Sequence, residues 1–188
     1  MVARTLARAI TNVLNPFVVF TTLYSLVAFS EVEAFRALLY VVLELFAAAA
    51  VAGYVVFMRR YSRVGDFWIS ARAERLTPAV FLQAAFVALL GALVLLDAPE
   101  ELLRLTISMG LASATVALVT LFFKASAHCA VAGHAATAAL LLLGPLGWIF
   151  ATALPLVVWA RGALGAHSVP ETLVGAAVGA GFAVLFLA

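Results

Sequence analysis

The run from Ala37 to Met58 carries a single charged side chain, Glu44, and several other runs in the chain are as apolar. An α-helix needs about 20 mostly apolar residues to cross a bilayer. In hydrocarbon the backbone polar groups have to be satisfied inside the span itself, and a run of this length does so as a helix. The pattern predicts an all-α, polytopic transmembrane helical bundle. Composition points the same way: 66% of the residues are apolar and 11% charged, where a soluble domain has about half and a quarter. The 188 residues suit one integral-membrane domain, 1–188, without a separate soluble unit. The one cysteine, Cys129, excludes an internal disulfide and reads as a small buried residue.

Six to seven spans are expected. They are Ile10–Phe29, Ala37–Met58, Ala79–Leu96, Leu105–Phe123, the two short runs Cys129–Leu143 and Leu146–Trp159, and a last span from Glu171. The short runs, hinged at Gly144-Pro145-Leu146-Gly147, could instead form a re-entrant pair. Asn15-Pro16 either kinks the first span or delays its start. Arg4 and Arg8 precede that span without a small-residue cleavage pattern, so it reads as retained and not as a removed signal peptide.

Counting crossings puts Arg4, Arg8, Arg59, Arg60, Arg63, Arg72, Arg75, Lys124 and Arg161 on one face, nine of the 11 basic residues. The other face holds Arg36 and Arg104 among Glu31, Glu33, Asp97, Glu100 and Glu101. The positive-inside rule makes the basic face cytoplasmic, and an inner (plasma) membrane is the expected location. The bias persists if Arg72, Arg75, Lys124 and Arg161 owe their charge to a bound anion, leaving five basic residues against two.

Two polar islands interrupt the apolar runs on that face: Lys124-Ala125-Ser126-Ala127-His128 and Arg161–Glu171. Charged groups at such places are costly without partners or work. A guanidinium matches phosphate oxygens bidentately and Lys supplies a point charge. Imidazole acts as nucleophile or general acid near neutral pH. His167 has Glu171 four residues on, close enough in a helix for the carboxylate to orient the ring. Ser168-x-x-Glu171 also reads as a capping box with Pro170 at the helix start, and the two uses of Glu171 are compatible. His134, inside an apolar run, reads as a hydrogen-bonded core histidine, and Glu44 as an intramembrane acid without a nameable partner. Gly175 and Gly179 form a Gly-x3-Gly pair suited to close helix packing. Trp68, Trp148 and Trp159 read as interfacial or packing aromatics. No local metal-ligand cluster and no Gly-x4-Gly-Lys-Ser phosphate loop is present, so no metal or cofactor is expected.

Ala160–Gly179 resembles the third signature of the type 2 phosphatidic acid phosphatase superfamily, Ser-Arg-x5-His-x3-Asp followed by a glycine-spaced helix. Arg161, His167 and the acidic position fall in register, and Ala125-Ser126-Ala127-His128 resembles the second signature, Pro-Ser-Gly-His. The likeness implies that His167 attacks phosphorus, Glu171 orients it, His128 protonates the leaving group, and Arg161 with Ser126 and Lys124 holds the phosphoryl oxygens. Arg72 and Arg75, in Arg72-x2-Arg75-x2-Pro78, stand where the first signature, Lys-x6-Arg-Pro, would supply further phosphate ligands. The chain departs from the pattern with Glu171 for Asp, Ala160 for the serine before Arg161, and Ala125 and Ala127 for Pro and Gly. These mark a divergent member.

The expected activity is metal-independent hydrolysis of a lipid phosphate or diphosphate, prenyl-linked or glycerolipid, through a phosphohistidine. Substrate and membrane lipids are the expected partners, and nucleic acid is not among them. Two other readings use the same pocket: a phosphotransferase or an allylic-diphosphate lyase or cyclase, and a lipid-binding protein without turnover. Product analysis separates the first pair from a phosphatase. Binding without phosphate release by folded protein marks the last.

Overall fold

The computed structural model describes residues 2–65, 74 and 76–188, and within them the protein is all-helical. Eight α-helices follow one another among the described residues: α1 (Val2–Val13), α2 (Pro16–Glu31), α3 (Ala34–Arg60), α4 (Leu76–Leu95), α5 (Glu100–Thr120), α6 (Ala127–Leu143), α7 (Trp148–Ala163) and α8 (Val169–Leu187), with a 3-10 turn, Gly144–Gly147, between α6 and α7. Five helical segments are long and apolar enough to cross a membrane, and the bent pair α1–α2 makes a sixth. The chain is a multi-pass membrane protein.

Asn15-Pro16 starts a new helix and so sets the bend in the first span. Pro16 lacks an N–H that the first helical position does not need, and Asn15 Oδ1 caps α2 by accepting from the Val18 amide at 3.1 Å. The expected span Ile10–Phe29 is therefore split, with α1 and α2 meeting at 43°. Residues 2–9, outside the expected span, are helical and join α1, which packs along α7 through buried Ala7 and Thr11.

The segment 127–163 doubles back on itself. Gly147 lies against the backbone of Ala139 and Leu140, and Val157 against Cys129 and Ala132, a register that only antiparallel arms produce. Gly144 makes the turn with φ +56°, a region open to glycine. Ala127 and Ala163 consequently emerge at the same end of the bundle, which carries both polar islands.

α6 is the central helix. Cys129, Ala130, Ala132, Gly133, Ala135, Ala136, Ala138 and Ala139 are all buried, and their small size lets α8, α7, α2 and α5 approach. The contact with α8 is the closest in the molecule: Gly133 meets the Ala176 backbone, Gly175 meets Ser126, and Gly179 meets Ala130 and the His134 amide. His134 Nε2 pairs with Ser108 Oγ at 2.7 Å, as a buried core histidine does. At the far end, Arg36 Nη2 donates to the Asp97 carbonyl at 2.8 Å and to Tyr40 Oη at 2.7 Å, tying α3 to the α4–α5 turn. Trp148 and Trp159 are exposed on the bundle surface, as interfacial aromatics are, and Trp68 lies outside the described residues.

Candidate active site

α7 ends in a motif that fixes where His167 goes. The Ala166 amide donates to the Arg161 carbonyl at 3.0 Å and the Gly165 amide to the Gly162 carbonyl at 2.8 Å. This is the paired pattern of a Schellman cap, and it requires Gly165 at φ +67°. A residue with a Cβ pays about 1–2 kcal/mol for that region. Gly165→Val is therefore expected to lower stability by about that amount, read as the unfolding midpoint in detergent; an unchanged midpoint would show that the loop does not need this backbone geometry.

The chain then turns into α8 through a capping box on Ser168 and Glu171. One carboxylate oxygen does two things. Glu171 Oε2 accepts from the Ser168 amide at 3.0 Å and lies 3.1 Å from His167 Nδ1. A proton on Nδ1 donates to that carboxylate, which leaves Nε2 with its lone pair.

The first island meets the second at two backbone carbonyls. Lys124 Nζ donates to the Ala166 carbonyl at 2.9 Å, immediately before His167. The Ser126 amide donates to the Glu171 carbonyl at 3.1 Å. Ser126 Oγ caps α6, accepting from the Cys129 amide at 3.4 Å. Lys124 and Ser126 thus join the two islands, and these bonds are compatible with the phosphate role the sequence pattern gave them, since an ammonium has three donors and an accepting hydroxyl can still donate. Arg72 and Arg75 lie outside the described residues.

His128, Arg161 and His167 are each at most 7% exposed and line one cavity of about 220 Å³. Two imidazoles and a guanidinium lining one cavity can hold the oxygens of an oxyanion, attack its central atom and protonate what leaves. Thr120, buried and on the same wall, was not singled out in the sequence. Nothing local distinguishes it from other threonines in apolar runs.

Lys124→Met is expected to loosen the loop that carries His167, because the Ala166 carbonyl loses its donor, read as faster amide hydrogen exchange across residues 165–168; unchanged exchange would show that the loop does not need this bond.

Among the described residues no three His, Cys, Asp or Glu side chains gather into a metal-ligand group. The chain matches no protein-family model, no curated protein and no solved structure.

Proposed function

We propose that this protein is a membrane lipid phosphatase, a divergent relative of the type 2 phosphatidic acid phosphatases, acting through a phosphohistidine on His167 without a metal. The observation that carries this reading is the convergence of His128, Arg161 and His167 on one cavity, with Glu171 behind His167.

Arg161 binds the phosphoryl oxygens. His167 Nε2 attacks phosphorus, the P–N bond forms, and the ester P–O bond breaks. The leaving alkoxide takes a proton from His128. Water then attacks the phosphohistidine, His128 takes its proton, the P–N bond breaks, and inorganic phosphate departs. Each step uses positioning and charge already in place. With the basic face cytoplasmic in an inner membrane, the substrate would be a prenyl-linked or glycerolipid phosphate presented from the inner leaflet.

The test is phosphate release from a panel of prenyl and glycerolipid phosphates by purified protein in detergent, with a chelator present, and quenching in base to trap an acid-labile phosphoprotein. Chelator-resistant release with a trapped intermediate is the expected result. Release of intact diphosphate from an allylic substrate would favour the lyase reading instead. Binding with neither product by folded protein would favour a non-catalytic lipid binder.

A further inference from the structure

The cavity that His128, Arg161 and His167 line adjoins another, farther inward. A second cavity of about 140 Å³ shares Phe17, Val51, Leu82, Met109 and Ser113 with the first and runs on to Glu44. The walls advance in step. Lining residues span 44–55 on α3, 78–89 on α4 and 109–120 on α5. At 1.5 Å per residue each stretch covers about 16 Å, roughly half of the ~30 Å hydrocarbon core. The inner walls are apolar except at Ser113 and Glu44. Glu44, 3% exposed, faces the deepest part, and Thr21 Oγ1 stands 2.9 and 3.0 Å from its two carboxyl oxygens.

Together the two cavities stand near the low end of the roughly 300–1,000 Å³ range of ligand pockets, room for one chain and not two. An extended chain advances about 3.6 Å per three bonds, so 16 Å holds on the order of 13 bonds. Beyond that depth a methyl terminus would press on a carboxyl group and strip its remaining solvation, which is unfavourable. A site that penalises the wrong ligand in this way selects against it.

We propose that the passage is the binding site for the single hydrocarbon chain of a phosphorylated lipid, and that Glu44 at its end sets the longest chain accepted. The head-group end of this site rests on the phosphatase reading; the chain-length limit is measured without turnover.

Straight-chain alkyl phosphonates, graded from well below to well above the channel length, would be titrated against the purified protein. Wild-type affinity is expected to rise about fourfold per methylene up to roughly 13 bonds, then level off or fall. Glu44→Ala should move that break to longer chains. Ala85→Phe, which fills the inner cavity from α4, should move it to shorter ones and keeps the test open if Glu44→Ala does not fold. Affinity without a break, or a break at the same length in a folded variant, overturns the assignment. A break that moves as expected, with no hydrolysis of the matching phosphate, overturns the phosphatase reading alone. Failure to bind any phosphonate overturns both.

Discussion

His167→Ala is expected to lower phosphate release by on the order of 10⁴-fold or more, the loss that follows removal of an essential nucleophile. The protein should stay folded. The loop carrying His167 is held by the Schellman cap at the end of α7, the capping box of α8 and the Lys124–Ala166 bond, and none of these uses the imidazole. Phosphonate affinity should change little, because Arg161 and the apolar channel remain. The defect therefore belongs in kcat. Glu171 separates orientation from folding. Glu171→Gln retains an oxygen to accept from the Ser168 amide but loses the charge beside His167 Nδ1, so activity should fall about 10²-fold with the helix cap intact. Glu171→Ala removes the cap as well and should cost about 1 kcal/mol of stability in addition. Wild-type release by folded His167→Ala would sink the nucleophile assignment and leave the cavity as a binding site.

Much of the helical arrangement was legible because a membrane chain has few options. Apolar runs become spans, and counting them put Lys124–His128 and Arg161–Glu171 on one face, where the Ser126–Glu171 backbone bond and the bond from the Lys124 side chain to the Ala166 carbonyl join them. The two readings of Glu171 proved compatible for a geometric reason. A residue at the third helical position reaches back to the cap and also lies one turn from the residue before it. What local patterns could not supply is the choice of partner. Lys124 and Ser126 carry the groups a phosphate needs, yet bare carbonyls and amides at helix ends compete for those same groups, and only the packed structure shows that Lys124 Nζ reaches the Ala166 carbonyl and Ser126 Oγ the Cys129 amide. Thr21 and Glu44 lie 23 residues apart on different helices, so no spacing rule connects them. The first span is broken at Asn15-Pro16, a step that reads in sequence equally as a kink or as a cap and first turn. The first-signature candidates Arg72 and Arg75 lie outside the described residues.

One methyl group on α8 should decide whether the two islands meet at all. A Cβ at Gly179 would collide with the Ala130 carbonyl and with the His134 amide, both main-chain groups of α6 that no side-chain rotation can move. A Cβ at Gly181, two residues on, meets nothing within 4 Å. Gly179→Ala is therefore expected to destabilise the protein by about 3 kcal/mol, the upper part of the usual overpacking range. Gly181→Ala should stay within about 0.5 kcal/mol of wild type. Midpoints of thermal unfolding in the same detergent compare the pair directly, and equal midpoints would show that α6 and α8 do not pack through their backbones at this point. The consequence extends to the site. Gly175 sits on Ser126, the residue whose amide binds the Glu171 carbonyl, so relieving a clash at Gly179 by separating α6 from α8 draws His128 away from His167. Displacements of about 1 Å from productive geometry can cost around 10²-fold in rate. Any Gly179→Ala protein that survives purification should accordingly lose activity out of proportion to its unfolded fraction, whereas Gly181→Ala should lose none.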